Sequence, residues 1–145
     1  MRYLLLALRL LLGSVFIYAA YLKLREPWLM FAMQIDAYQL LPQWAVLSVA
    51  RTLPWAEMVV GLALITGLGL RYAAAGATLL TGLFFGIMTF TFLKGLQIDC
   101  GCFGPGETIG PKTLARDATL LLMCATLWIL SSRVTKRAEN QVQFA

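Results

Sequence analysis

Two cysteines lie one glycine apart in the segment "LQIDCGCFGPGETIGPK", residues 96–112. The thiolate form of cysteine attacks disulfides and binds soft metals, so Cys100 and Cys102 are suited to either chemistry. A Cys-Gly-Cys disulfide closes a very small ring, for which Gly101 supplies backbone freedom. Strain makes such a disulfide easier to reduce. The spacing therefore favours thiol–disulfide exchange over a structural cross-link.

Two other uses of the same cysteines stay open on spacing alone, an inert disulfide and a metal site. The chain has no histidine, and zinc takes four ligands, so the metal alternative is copper(I), which accepts thiolate and thioether sulfur. Met30 and Met33 are predicted on the same side of the membrane and could complete such a site, although apolar packing is the commoner role of methionine. Cys124, near the middle of the last apolar run, is predicted to pack in the core.

The composition is that of a membrane protein rather than a soluble domain. Of the 145 residues, 60% are hydrophobic and 13% charged, against roughly 45–50% and 25% in soluble domains. The apolar residues form continuous runs, not the alternating pattern of a spanning β-barrel. We therefore predict an all-α membrane protein, a bundle of four transmembrane helices at about 3–22, 53–70, 72–93 and 113–130.

The connecting segments complete the predicted architecture. Residues 28–44 are too polar and too short to span, and their apolar residues recur at helical spacing, which indicates a short interfacial helix after the first span. The Cys-Gly-Cys loop precedes the last span. Residues 1–132 would form one domain and 133–145 a basic C-terminal tail. Because Arg9 interrupts the first apolar run, we expect that run to remain as a span rather than to be a signal peptide.

Proline and glycine residues give two further predictions about the spans. Pro54 is placed in the first turn of the second span, where its missing N–H costs least. Gly82 and Gly86 in the third span are four residues apart, a spacing at which small residues let helices pack closely in lipid. We therefore predict that this glycine pair packs inside the bundle.

The distribution of charge is the basis for predicting which side the cysteines face. The net charge of +5 is carried at the ends of apolar runs, which indicates membrane topology rather than nucleic-acid binding. Four spans put both termini on one side, and six Lys or Arg residues fall on each side, so the positive-inside rule does not decide the orientation. The acidic residues are divided unevenly, because Glu139 alone lies with the termini. Net charge therefore favours cytoplasmic termini, with the cysteine loop outside, where oxidising conditions suit paired cysteines.

Several ionisable residues are predicted at the same membrane face as the cysteines, namely Lys23, Arg51, Glu57, Lys94, Asp99, Arg116 and Asp117. Cations near a thiol favour the thiolate, which gives this role to Arg116, Lys94 and Arg51. Glu57 and Asp99 would position the loop or move protons. Ionisable groups inside a span are costly and usually paired, so we predict that Glu57 pairs with Arg116 or Arg51. A purely structural bridge between helices is the alternative.

The motif "IDCGCFG", followed by the pair Arg116 and Asp117 at the start of the last span, resembles the MauE branch of the DoxX-like membrane proteins. The segments "RLLLGSVFIYAAYLKLREP", "IDAYQLLP" and "LPWAEMVVGLALITGLGLR" resemble the same family in order. The resemblance extends to about residue 132. One departure is "AAYLK", where family members often have a glycine before the lysine.

The resemblance implies a four-helix protein of the bacterial inner membrane that takes part in the redox maturation of exported proteins. It implies that Cys100 and Cys102 exchange disulfides with a periplasmic thioredoxin-like partner. Analogy with the DsbB-type four-helix oxidases adds a quinone as electron carrier in the membrane. The alternative function is a non-enzymatic copper-handling or assembly factor, with Met30 or Met33 as further ligands. A scaffold with an inert bridged loop is the third possibility.

Overall fold

The computed structural model describes residues 2–100 and 106–144, and throughout this part of the chain the regular secondary structure is helical. The helices are α1 (Arg2–Arg25), α2 (Trp28–Asp36), α3 (Gln43–Thr66), α4 (Leu70–Leu93) and α5 (Pro111–Gln143). One isolated antiparallel bridge joins Asp99 to Thr108 between α4 and α5. The predicted all-α fold is confirmed.

Four of the helices are long and apolar enough to cross a membrane, which confirms the predicted four-span architecture. Helices α1, α3 and α4 have 24 residues each, about 36 Å at 1.5 Å per residue. The hydrocarbon core of a bilayer is about 30 Å thick. Many large apolar side chains on these helices are exposed, as expected of surfaces that face lipid. The chain is therefore a multi-pass membrane protein.

Successive long helices are antiparallel, so the bundle has two ends. We call the end with the loop between α4 and α5 the cysteine end, and the end where α1 begins and α3 ends the terminal end. Helix α1 packs most closely on α3, and α4 on α5. The short helix α2 packs on α3 at the cysteine end, where Phe31 and Ala32 are buried with Val46 and Ala50. Its predicted position at the membrane interface stays a prediction.

The contact between α1 and α3 depends on two glycines. A Cβ atom on Gly13 would lie 2.5 Å from Ile65 Cγ1 and 2.9 Å from the Gly61 carbonyl oxygen. A Cβ on Gly61 would lie 2.8 Å from Ile17 Cγ1 and 3.0 Å from the Gly13 oxygen. Only glycine at both positions lets the two backbones approach this closely. The contact fixes how the two helices are aligned along their length.

The predicted packing role of the other glycine pair is wrong for Gly86. No described atom lies within 4 Å of a Cβ built on Gly86, and one on Gly82 meets only Leu121 Cδ1, at 3.6 Å. The small-residue spacing in α4 therefore does not mark the tightest helix contact. That contact joins Gly13 and Gly61, which lie on different helices and share no sequence motif.

We expect Gly61→Ala to destabilise the bundle by about 1–3 kcal/mol, the usual cost of overfilling a packed core. Gly86→Ala is the matched control, because it makes the same change in a helix interior where nothing lies close. Alanine favours a helix over glycine by roughly 1 kcal/mol, and the control measures this gain. Thermal unfolding in detergent, followed by circular dichroism, compares the two variants. Equal midpoints would contradict the close contact.

Arg9, an ionisable residue inside the first span, has a structural partner. Its Nε donates to the Leu64 carbonyl at 3.0 Å and its Nη2 to the Ile65 carbonyl at 3.1 Å. These carbonyls lie in the last turn of α3, which leaves backbone acceptors without intrahelical partners. The helix ends in Gly67, which has a left-handed backbone (φ 80°) and packs against the Arg9 guanidinium. Arg9 therefore caps α3 across the helix contact.

The start of α3 differs from the predicted span. The helix begins at Gln43, directly after Pro42 in an extended conformation, so Pro54 lies in its interior and not in its first turn, where we predicted it. The added turns are stabilised by tertiary packing, because Val46 and Ala50 are buried against α2. Packing of this kind outweighs the low hydrophobicity of the segment.

The end of α5 also differs from the expected tail. The helix continues to Gln143, so most of the basic segment 133–145 is helical. At 33 residues, α5 is about 50 Å long and exceeds the thickness of the hydrocarbon core. Its last turns therefore extend beyond the apolar part of the bundle at the terminal end.

Candidate functional site

Cys100 lies at the cysteine end, in a loop that hydrogen bonds hold against the bundle. Its backbone N–H donates to the Glu107 carbonyl at 2.7 Å, and its own carbonyl accepts from the Tyr38 hydroxyl at 3.0 Å. The bridge between Asp99 and Thr108 closes the base of the loop. Asp99 Oδ2 also accepts from the Gly106 N–H at 3.4 Å, so this carboxylate positions the loop. Cys102 lies outside the described residues.

The Cys100 sulfur is buried between α4 and α5, with 2% of the residue exposed. Its Sγ lies 3.6 Å from the Met88 Sδ and 3.9 Å from Nη2 of Arg116. Met88, Cys100 and Ile109 form a small buried cluster. A guanidinium beside a thiol stabilises the thiolate by charge and by hydrogen bonding. The environment of the sulfur is therefore apolar on one side and cationic on the other.

Two carboxylates hold the Arg116 guanidinium in place. Its Nη1 donates to Glu107 Oε1 at 2.6 Å, and its Nε donates to Asp117 Oδ1 at 3.1 Å. Glu107 comes from the cysteine loop and Asp117 from α5, so Arg116 joins the loop to the helix. With Nε and Nη1 fixed, the remaining nitrogen Nη2 is the one that faces the Cys100 sulfur. The arrangement orients the cation toward the thiol.

Glu57 pairs with Lys23, and the predicted pairing with Arg116 or Arg51 is wrong. Lys23 Nζ lies 2.8 Å from both Oε1 and Oε2 of Glu57, and the two side chains are 3% and 7% exposed. The close contact between α1 and α3 brings these two residues together in the bundle interior. Arg51 instead stacks on the Trp28 ring of α2, with Cζ 5.0 Å from the ring centre.

The Lys23–Glu57 pair lines a cavity of about 60 Å³ that Thr81 and Asp117 also line. A cavity of this size and polarity has room for water. Asp117 is 4% exposed and contacts Arg116, which in turn faces the Cys100 sulfur. A series of polar groups therefore runs from the loop thiol to three ionisable residues buried in the bundle.

Four further residues named in the sequence analysis are Lys94, Met30, Met33 and Cys124. Lys94 is exposed at the end of α4, where its Nζ lies 4.5 Å from the centre of the Phe90 ring. Met30 and Met33 are 47% and 62% exposed on α2. Cys124 is fully buried in the core formed by α1, α3, α4 and α5, as predicted, with its sulfur 3.9 Å from Thr81 Oγ1.

The model of the family described as methylamine utilisation protein MauE matches residues 1–130 of this chain. The chain belongs to the MauE family. The methylamine utilization protein MauE of Paracoccus denitrificans is 37% identical over 102 residues, which cover 69% of this chain and 54% of that protein. The chain thus spans about half of the length of this curated relative. No solved structure matches the chain.

Three residues of this MauE-family site escaped the sequence analysis, namely Met88, Tyr38 and Glu107. Met88 belongs to a continuous apolar run, in which nothing distinguishes it from residues that face lipid. Tyr38 lies in "IDAYQLLP", one of the segments that resemble the family, and that segment was the available signal. Glu107 entered the sequence analysis only as one of the acidic residues on the cysteine side. Its pairing with Arg116, nine residues further along the chain, could not be recognised from the spacing.

We expect Tyr38→Phe to make the Cys100 thiol about fivefold more reactive toward a small alkylating agent. The variant loses only the hydroxyl that donates to the Cys100 carbonyl, and one such hydrogen bond contributes about 1 kcal/mol to holding the loop closed. Alkylation of the Cys102→Ser, Cys124→Ser protein, measured by intact mass, gives the rate for Cys100 alone. Tyr72→Phe, at an exposed site of the terminal end, is the control. An unchanged rate would show that other contacts hold the loop.

Proposed function

We propose that this MauE-family protein is a membrane thiol–disulfide oxidoreductase whose Cys100 and Cys102 exchange disulfides with a periplasmic thioredoxin-like partner. The observation that carries the proposal is the Arg116 guanidinium, which two carboxylates orient toward the Cys100 sulfur at 3.9 Å. A cation beside a thiol favours the reactive thiolate, which a purely structural cysteine does not require. The proposed pathway is methylamine utilisation, with which the family description associates this family.

The exchange proceeds through a mixed disulfide. A thiolate of the pair attacks one sulfur of the partner disulfide, forms a new S–S bond and releases the partner's other sulfur as thiolate. The second cysteine of the pair then attacks the mixed disulfide and releases the partner as a dithiol. Two electrons pass from the cysteine pair to the partner, and the two thiol protons pass to the released thiolates. The reverse sequence oxidises the partner.

Burial assigns different roles to the two cysteines. Cys100 is 2% exposed, which excludes direct attack on a partner protein while the loop is closed. We therefore propose that Cys102 meets the partner and that Cys100 resolves the mixed disulfide. Arg116 would then stabilise Cys100 as the attacking thiolate of the second step.

Glutathione disulfide tests the order of attack with matched variants in a Cys124→Ser background. Cys100→Ser is expected to accumulate a mixed disulfide with one glutathione, because the resolving thiol is absent. Cys102→Ser is expected to react more than tenfold more slowly, because Cys100 is buried. The parent protein should form an internal disulfide. Intact mass after acid quenching separates these species. If only Cys102→Ser accumulated the mixed disulfide with glutathione, Cys100 would be the cysteine that attacks first. If neither variant accumulated it, the proposed disulfide exchange would be contradicted.

A quinone is the proposed electron carrier in the membrane, and a cavity beside the site suits it. The cavity has a volume of about 330 Å³ and lies between α2, α3 and α4. Its lining is apolar except for Tyr38, whose hydroxyl binds the Cys100 carbonyl. Small-molecule sites have this character, mostly apolar with few polar groups. A quinone bound there would supply a two-electron, two-proton acceptor.

Filling the cavity tests this part of the proposal. Ile87→Trp places a large ring in the lining, and Leu79→Trp places the same ring on an exposed site of the same helix. Ile87→Trp is expected to reduce turnover with a soluble quinone more than tenfold while glutathione disulfide still oxidises the cysteines. Equal quinone turnover in both variants would place the quinone elsewhere.

The proposed orientation has the cysteine end in the periplasm of a bacterial inner membrane. Lys23 and Arg116 both form ion pairs at the cysteine end. The six basic residues counted there therefore include two neutralised by acidic partners. In the part of the chain that the structure describes, no Lys or Arg residue of the terminal end forms an ion pair. The numbers of Lys and Arg residues at the two ends are equal, so the proposal of cytoplasmic termini depends on the net charge, which is more positive at the terminal end.

Copper(I) binding is the second candidate function, and the contact of Met88 with Cys100 favours it. The two sulfur atoms are 3.6 Å apart in a buried site, and thiolate and thioether are both ligands of copper(I). Cys102 would be the third ligand. Met88→Leu is expected to weaken copper(I) binding in competition with a chelator, whereas Met30→Leu and Met33→Leu should not. The opposite result would indicate that Met30 and Met33 of α2, and not Met88, are the methionine ligands of copper(I).

A further inference from the structure

The last turns of α5 carry a cluster of positive charge that the proposed redox site does not use. Arg133, Lys136 and Arg137 are three and four residues apart, so they lie on one face of the helix. All three side chains are exposed. The ion pairs in the described part of the chain include none of them. A span of about 20 residues that starts with α5 at Pro111 ends before Arg133, so we expect the cluster to lie at the level of the lipid headgroups.

Two cavities flank Arg133, one on each side. The first, of about 80 Å³, is lined by Leu5, Leu130 and Val134 together with Arg133 and Arg137. The second, of about 220 Å³, has a different lining, namely Trp128, Ile129, Ser132, Arg133 and Lys136. Most of the apolar lining residues precede the basic residues in α5 or come from the start of α1, and Val134 lies between Arg133 and Lys136. Each cavity therefore combines an apolar floor with a cationic rim.

We propose that this end of α5 binds an anionic phospholipid of the bilayer that the protein spans. The phosphate would accept hydrogen bonds from Arg133 and Arg137, with Lys136 and the Ser132 hydroxyl beside it. Arginine suits this role because its planar fork matches phosphate oxygens in pairs. The two acyl chains would follow the apolar floors on either side of Arg133.

The combination of charge and apolar surface selects the occupant. A small soluble anion would use the cationic rim but leave the floors of both cavities empty. A zwitterionic lipid would fill the floors but would bring its own cation to a site that already has three. An anionic phospholipid satisfies both features, and basic clusters next to a span bind such lipids through charge.

Fluorescence of Trp128 tests the proposal in lipid vesicles. Trp28, Trp44 and Trp55 are replaced by Phe, which leaves Trp128 as the reporter in one of the two cavities. Brominated phosphatidylglycerol, diluted in phosphatidylcholine, is expected to quench this residue about tenfold more effectively than brominated phosphatidylcholine at the same mole fraction. Arg133→Gln with Arg137→Gln should remove the difference. Arg25→Gln with Lys112→Gln, at the cysteine end, should leave it unchanged.

Each outcome decides between the lipid and its competitors. Equal quenching by the two brominated lipids would overturn the proposal, as would a preference that survives in the Arg133 and Arg137 variant. Relief of quenching by inorganic phosphate would assign the site to a free anion. Native mass spectrometry of the protein with all four tryptophans, with the same two lipids, makes the comparison without tryptophan replacement. Retained quenching by brominated phosphatidylcholine shows that each variant is still folded in the bilayer.

Discussion

Lys23→Met is expected to lower the free energy of unfolding by about 3–5 kcal/mol, the usual cost of removing one partner of a buried ion pair. Both Glu57 oxygens accept from Lys23 Nζ at 2.8 Å, and both side chains are almost fully buried. Without the lysine, the Glu57 carboxylate keeps the cost of its desolvation and loses the compensating charge. In the bilayer interior no bulk water is available to replace that partner.

A double variant separates the charge from the packing. Lys23→Met with Glu57→Gln removes both charges and should recover most of the lost stability, because the uncompensated carboxylate is gone. Lys94→Met is the matched control, since Lys94 is exposed and stacks on Phe90. Unfolding in detergent by chemical denaturant provides the comparison. If Lys23→Met were no more destabilising than Lys94→Met, the pair would not hold α1 and α3 together.

The second large effect is expected for Arg116→Gln, which should slow the reaction of Cys100 about tenfold or more at neutral pH. The guanidinium lies 3.9 Å from the sulfur, and a unit charge at this distance contributes about 1 kcal/mol in water and about 4 kcal/mol near a protein surface. Its removal also breaks the ion pairs that Arg116 forms with the Glu107 and Asp117 carboxylates. Both changes disfavour a negative sulfur, so less of the thiol is ionised.

The pH dependence of alkylation distinguishes this electrostatic role from a structural one. In a Cys102→Ser, Cys124→Ser background, the Arg116→Gln rate should approach that of the parent protein at alkaline pH, where the thiol is ionised in both. Lys112→Gln, which removes a charge from an exposed site in the first turn of the same helix, should keep the parent profile. A deficit that stays constant at every pH would indicate a displaced loop rather than lost charge.

Much of the architecture followed from residue types alone. Four long apolar runs can be stable only when lipid covers them, so composition and run length determined the class and the number of spans. The cysteine spacing, together with Arg116 and Asp117 after it, is enough to indicate the MauE family from the sequence. The prediction that Arg116 lies near Cys100 is confirmed, because the loop and the start of the helix are adjacent in sequence.

Two of the residues that the sequence did not identify, Gly61 and Met88, lie on the inward faces of apolar helices. In a soluble protein the polar side of a helix shows which side faces the core, but in a membrane both the core and the lipid are apolar. Gly61 and Met88 therefore look like their lipid-facing neighbours in the sequence. Only the tertiary structure shows that Gly61 contacts Gly13, and that Met88 meets the Cys100 sulfur.

The partner of Glu57 was decided in the same way. Charge alone allowed several cations at the cysteine end to pair with Glu57. We predicted Arg51, which is close to Glu57 in sequence, or Arg116, which is close to the cysteines in sequence. The Gly13–Gly61 contact aligns α1 with α3 so that Lys23 reaches Glu57 inside the bundle. The sequence by itself determined which residues could do chemistry. The packing of α1 on α3 at Gly13 and Gly61 determined which of these residues meet in the folded protein.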